Sequence, residues 1–235
     1  MQKSTDKNEK LNVAHLVAMA SAFCSPYLFL TCLRLWASPH PWARLNLFSG
    51  AFIALASISY IEQSVTFLRS AFRSRETFRE AVGATYDPVL VNVTVVFGFL
   101  DYAILFEYAH LHLVPALEQP PLQWAGLVCA AGSLGMLLWA DTWLGRHFAK
   151  DEAARTLMSG GPYRFVRHPR YVSIILAKLA SPFLLGSVLA WIALPMWIAL
   201  VLRRIPLEEA HVRKAFGAAY DDYAARTARL LPGIY

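Results

Sequence analysis

Charge is what this sequence has little of. Asp, Glu, Lys and Arg make up 16% of its 235 residues, against about 25% in a typical soluble domain, which argues against an ordinary water-exposed globule. Disorder is excluded more firmly, because no long segment is both apolar-poor and highly charged. Cysteine is also scarce. Cys24, Cys32 and Cys129 lie inside apolar stretches without CxxC spacing or neighbouring histidines. Buried thiols are therefore expected rather than a disulfide framework or a zinc site, and no metal is assigned. There is no internal repeat, and no glycine-rich loop of the kind that follows a strand in soluble nucleotide-binding enzymes.

What is present is hydrophobicity in long blocks. Apolar residues reach 57% and the mean hydropathy is +0.40. Residues 11–33 carry no charge over a spanning length. The lysines before them (Lys3, Lys7, Lys10) resemble a signal n-region, but the block exceeds the usual h-region of about 7–15 residues, so a retained first helix is expected. Further spans are expected at 45–68, 88–114 and 122–140. The last block, residues 171–202, would be about 48 Å long as one helix, too long for a bilayer core of about 30 Å. Gly186-Ser187 at its centre, between Pro182 and Pro195, predicts a hairpin of two short arms.

The sequence thus predicts an all-α integral membrane protein. It has four transmembrane helices, a C-terminal broken helical hairpin and a cytosolic amphipathic tail helix beginning at Leu207. Two parts are expected: N-terminal transmembrane helices over 1–143 and a core over 144–235. With six crossings, 19 of the 22 basic residues fall on one face, which the positive-inside rule assigns to the cytosol. The net charge of +6 then reflects topology and lipid headgroups rather than a nucleic-acid partner. The membrane is the inner one in a bacterium or the endoplasmic reticulum in a eukaryote.

Two chemically dense stretches flank the hairpin on that face. The first, Gly160-Gly161-Pro162-Tyr163-Arg164-Phe165-Val166-Arg167-His168-Pro169-Arg170-Tyr171, places a turn before a helix that Pro169 can start. His168 is then at the lip of a helix N-terminus, where free N–H groups attract anions. The second contains Arg203-Arg204-Ile205-Pro206-Leu207-Glu208-Glu209 and ends at Arg229-Leu230-Leu231-Pro232. Arg204 and Glu208 would share a face on an unbroken helix, but Pro206 between them predicts a kink or restart. Taken singly, each stretch reads as a headgroup anchor or a surface amphipathic helix. The hairpin brings them together at one membrane face, which suits a zwitterionic cofactor and a lipophilic acceptor.

These two motifs, in this order across an apolar hairpin, resemble the isoprenylcysteine carboxyl methyltransferases and the related membrane phospholipid methyltransferases. The resemblance spans roughly residues 144–232; earlier residues match only as transmembrane helices. It implies methyl transfer from S-adenosyl-L-methionine, bound from the cytosol, to a lipophilic small-molecule or lipid-linked acceptor entering from the bilayer. By resemblance Tyr163, His168, Pro169 and Tyr171 contact the cofactor, and Arg170 contributes mainly backbone. Thr156, Leu157 and Met158 line the cofactor pocket. Glu208 is the cofactor-binding carboxylate, with Glu209 able to share or exchange that role, and Arg204 holds the acceptor. A cationic Arg204 suits a carboxylate better than an amine, which favours carboxyl O- or S-methylation. The further N-terminal helices associated with the eukaryotic carboxyl methyltransferases are missing, which weighs against a prenylated protein as acceptor.

Other polar residues carry less. Counted from Pro88 at helical rise, Asp101 lies about 20 Å along its segment, whereas Lys178 lies about 10 Å from its own cytosolic end. With no partner at matching depth, Asp101 is read as structural or cavity-lining. Glu62 is expected to snorkel, helix-end solvation accounts for Asp141 and His147, and His110 and His112 point to different faces. Two alternatives remain. One is an NADPH-dependent membrane sterol or isoprenoid reductase, which the ending Leu231-Pro232-Gly233-Ile234-Tyr235 resembles, although no additional acid follows His168-Pro169-Arg170-Tyr171. The other is a small transporter or scaffold, which the absence of paired inverted halves opposes. The oligomeric state is not legible.

Overall fold

The computed structural model describes residues 46–73, 100–111, 113–148 and 157–233. The expected first span, the start of the third, His112 and Thr156 lie outside the described residues, as does the His147 side chain. The described residues are helical, apart from turns and one isolated parallel bridge between Val166 and Ala228. The helices are α1 (Leu47–Arg73), α2 (residues 100–106), α3 (Pro120–Phe148), α4 (Pro169–Leu185), α5 (Val188–Phe216) and α6 (Ala218–Arg226). Two of them are long and apolar enough to cross a membrane: Pro120–Arg146, with a mean hydropathy of 1.4, and Val188–Phe216, with 1.8. Only 28% and 22% of those apolar windows are buried inside the protein. Helices so apolar and so little covered have the character of lipid-facing spans rather than of a soluble core. The structure therefore supports a membrane protein.

The predicted hairpin is there, and its tip has an identifiable cause. Gly186 turns the chain with φ +60°, a conformation glycine adopts without steric cost. Ser187 then caps α5 by accepting from the Ala190 amide at 3.1 Å. Residue Glu107, in a π-helical turn at Glu107–Leu111 just after α2, is only 2% exposed. Its carboxylate accepts from the Ser187 hydroxyl and, at 3.3 Å each, from the Val188 and Leu189 amides. A helix start buried among apolar residues needs such acceptors, and the carboxylate also suits the positive end of the helix dipole.

The arms are unequal. α4 has 17 residues, whereas α5 continues for 29 through both Pro195 and Pro206. The restart expected as one outcome at Pro206 does not occur, since α5 runs through it. Leu207–Phe216 completes α5, and the separate tail helix begins only at Ala218, after Gly217. α3 packs along α4. The Ser133 and Ser173 hydroxyls each donate to the other's carbonyl at 2.9 Å, the kind of small-residue polar contact that joins helices where no hydrophobic force distinguishes protein from lipid.

Candidate active site

The open end of the hairpin gathers both motifs. Gly160 and Gly161 lie against the Trp143 indole of α3, where a Cβ on either would collide with the ring. Gly161 also has φ +57°, so the Gly-Gly pair is a packing and turning requirement. A 3-10 turn, Gly161–Arg164, leads to His168, the residue immediately before Pro169 at the start of α4. The tail binds this lip from the other side: the Arg167 amide donates to the Ala228 carbonyl at 2.8 Å and the His168 amide to that of Arg229 at 3.1 Å. Tyr223 of α6 adds a bond to the Tyr163 carbonyl at 2.7 Å.

His168 sits between the two glutamates of α5. Its Nε2 is 3.3 Å from Glu209 Oε1, and its Nδ1 is 4.0 Å from Glu208 Oε2. Burial pushes the imidazole pKa below the usual 6.5 and outweighs the neighbouring carboxylates, so the ring is neutral near pH 7. A carboxylate can only accept, which assigns the single ring proton to Nε2 and leaves Nδ1 as an acceptor. The Tyr171 ring lies 5.6 Å from the imidazole, centroid to centroid. Its hydroxyl donates to Glu208 Oε1 at 2.5 Å, and Arg204 Nε donates to the same oxygen at 2.9 Å. Because α5 is unbroken at Pro206, the i,i+4 pair forms after all. Glu209 faces the other way. It accepts from Arg167 Nε at 2.9 Å and from Arg229 Nε at 3.1 Å. Arg167 also donates to the carbonyls of Ala224 and Thr227.

Between the hairpin, α1 and α2 lies a cavity of about 230 Å³. Tyr171, Arg204, Arg170 and Glu62 line one part of it, and Lys178, Asp101 and Trp197 another. The Arg170 guanidinium lies 2.6 Å from Glu62 and 3.4 Å from Asp141, and two expectations are corrected here. Glu62 and Asp141 are therefore joined to α4 rather than merely solvated at helix ends. Asp101 does have a partner, since Lys178 Nζ lies 2.5 Å from its Oδ2. The mismatch in depth came from counting from Pro88. Counted back from the Glu107–Ser187 junction, Asp101 is about 9 Å and Lys178 about 13 Å away along their helices. A lysine side chain spans that difference.

Among the predicted site residues, His168, Pro169, Tyr171, Arg204 and Glu208 come together. Leu157 and Met158 are half-buried just ahead of the Gly160–Gly161 turn. Sequence reasoning named Arg167 only as local positive charge and did not identify Arg229 as a partner of Glu209. The signal available was that both arginines stood in the quoted motifs with no acidic residue assigned to them. Among the described residues no group of three or more His, Cys, Asp or Glu side chains could hold a metal ion.

The family model described as phospholipid methyltransferase matches residues 121–219, which covers α3, both hairpin arms and the start of the tail helix. A probable protein-S-isoprenylcysteine O-methyltransferase of Oryza sativa subsp. indica is 26% identical over 206 residues, 82% of this chain and 97% of the relative. The protein-S-isoprenylcysteine O-methyltransferase of Schizosaccharomyces pombe is 32% identical over 88 residues, 37% of each chain. That of Dictyostelium discoideum is 24% identical over 151 residues, 61% of each. Because the alignment reaches 97% of the rice protein, the supposed lack of N-terminal helices does not separate this chain from that relative.

Proposed function

We propose that this membrane methyltransferase, akin to the isoprenylcysteine carboxyl methyltransferases, esterifies a carboxylate on a lipophilic acceptor with S-adenosyl-L-methionine as donor. The observation that carries the reading is the meeting of His168, Tyr171, Glu208 and Arg204 beside a cavity that continues between apolar helices. The donor set fits the cofactor. Glu208 is a carboxylate 29% exposed at its side chain, able to accept from an ammonium or ribose hydroxyls. His168 Nδ1 is an acceptor, and the half-buried Leu157, Met158 and Tyr163 offer apolar surface for an adenosyl group, while Pro169, fully buried, starts α4. Bound there, the cofactor supplies a methyl group on a sulfonium, a carbon already activated for displacement.

The chain's own residues then have mainly to position and to exclude water. Arg204 lines the cavity and carries a planar cation suited to bidentate capture of a carboxylate. Glu208 and Tyr171 orient that guanidinium from one side. A carboxylate acceptor is already anionic near pH 7, so no proton has to be removed and a neutral His168 is no handicap. The apolar walls keep bulk water from competing as nucleophile. We assign the open end of the hairpin to the cytosolic face, in a multi-pass chain whose acceptor enters from the bilayer.

Equilibrium binding of S-adenosylhomocysteine to the detergent-purified protein tests the reading. Glu208→Gln and His168→Ala are expected to lose binding while expression and membrane insertion persist, and Arg204→Ala to keep binding while losing turnover. Unchanged affinity in both of the first two variants, or affinity for NADPH in place of S-adenosylhomocysteine, overturns it. Incubating lipid extracts with radiolabelled S-adenosyl-L-methionine identifies the acceptor.

A further inference from the structure

The cavity has two polar stations, and each is built by one residue from each hairpin arm. Tyr171 and Arg204 form the first, sharing Glu208 Oε1. Lys178 and Trp197 form the second, with the ammonium 4.4 Å from the indole centroid and 2.5 Å from Asp101 Oδ2. On α4, Tyr171 and Lys178 are seven residues apart; on α5, Trp197 and Arg204 are also seven apart. Seven residues make about two turns, which returns to the same helix face about 10 Å further along. The stations therefore lie about 10 Å apart, with Ile174, Ala177 and Leu200 lining the cavity between them.

Two serine hydroxyls of the cavity wall are engaged elsewhere. Ser173 bonds Ser133, and Ser181 bonds the Ala177 carbonyl at 3.2 Å. Lys178 keeps 17% side-chain exposure and Asp101 5%, and both line the cavity. A buried ion pair is weak evidence for stability, because apolar replacements often serve as well. In a membrane span it is a functional candidate by default. Lys178 and Asp101 already bond each other, with the Trp197 ring beside the ammonium; an ammonium has three donors and a carboxylate several acceptor sites, so a ligand hydroxyl can bond both at once.

We propose that the acceptor is an amphiphile with two polar ends: a carboxylate at Arg204 and, about 10 Å deeper, a hydroxyl that accepts from Lys178 Nζ and donates to Asp101. This rests on the proposed function and adds the class of tail. Lys178 and Asp101 are specificity residues in it and take no part in the chemistry. A site built to hydrogen-bond a hydroxyl discriminates against the analogue that lacks it.

The test compares N-acetyl-S-geranylcysteine with its counterpart hydroxylated at the end of the prenyl chain. Binding is read as the ligand-dependent shift in unfolding temperature and methyl ester formation as radiolabel transfer. The wild-type protein is expected to bind the hydroxylated acid at least about tenfold more tightly, with the gain in KM rather than kcat. The Lys178→Met, Asp101→Leu double variant should lose that preference while retaining S-adenosylhomocysteine binding. Equal binding of the two acids by the wild type overturns the inference without need of any variant, as does a preference that survives in the double variant. A binding preference without ester formation keeps the tail assignment and rejects the acceptor chemistry of the proposed function. Binding of neither acid rejects both.

Discussion

Glu208 and Glu209 are neighbours in sequence and opposites in setting. Glu209 is 6% exposed at its side chain and accepts from Arg167 and Arg229 beside the imidazole of His168. Through Arg167 it reaches the tail carbonyls of Ala224 and Thr227, so it ties α4, α5 and the tail into one unit. Glu208 is 29% exposed and engages Tyr171 and Arg204, which line the cavity. One carboxylate holds the site together, and the other is available to a ligand. Two acids in a row on a helix point about 100° apart, which is enough to divide structure from chemistry within a single turn.

The comparison breaks most severely at Glu209. Removing it leaves the Arg167 guanidinium, 10% exposed, without its carboxylate, and uncompensated buried charge costs about 3–5 kcal/mol. Glu209→Leu is expected to lower stability by about 3 kcal/mol or more and to abolish S-adenosylhomocysteine binding through loss of structure. Glu208→Gln should change the unfolding free energy by less than about 1 kcal/mol, since a partly exposed i,i+4 pair is worth little, yet lose at least about 100-fold in turnover. Thermal unfolding and turnover measured on both variants separate the two roles. Equal destabilisation by both substitutions would erase the distinction.

That distinction shows where the sequence was legible. The hairpin could be read because glycine, two prolines and a block too long to span leave few alternatives, and the meeting of the two motifs followed from the hairpin. The division between the glutamates was not legible, because it depends on the twist of α5 past Pro206. A proline lacks the amide for one intrahelical bond, but its effect on the helix is set by tertiary packing around it, here including the fully buried Ile205 next to it. The Asp101–Lys178 pair was missed for a similar reason: depth was counted from a presumed helix start, whereas Glu107 on Ser187 sets the register from the hairpin tip.

A smaller effect is expected at the turn before the lip. Gly161→Ala places a Cβ at φ +57° against Trp143, a conformation that costs an L-residue about 1–2 kcal/mol even in open space. The variant should be less stable by at least that amount. Cofactor affinity should also fall, because the turn positions Tyr163 and His168. Gly217→Ala provides the control. Its φ of +54° and ψ of −130° carry a backbone cost of their own, but no atom lies within 4 Å of the added Cβ, so it should lose stability without a collision and leave affinity unchanged.

The smallest expected effect on stability asks whether His168 serves Glu209 alone or a ligand as well. Burial holds its pKa below 6.5 in the folded protein, so below about pH 6.5 the unfolded chain takes up a proton that the folded chain resists. Stability should therefore fall as the pH drops from 6.5 toward the lowered folded value, with a slope of at most about 1.4 kcal/mol per pH unit, and be unaffected by this group above 6.5. His168→Gln cannot take up that proton, so the loss of stability between pH 6.5 and 5.5 should be reduced in it. Glutamine can still donate to Glu209, so stability at pH 7.5 should change little if the imidazole mainly serves the structural acid. Because Nδ1 is the acceptor that faces the cofactor site, affinity for S-adenosylhomocysteine should nevertheless fall; an unchanged affinity would leave the imidazole a partner of Glu209 alone.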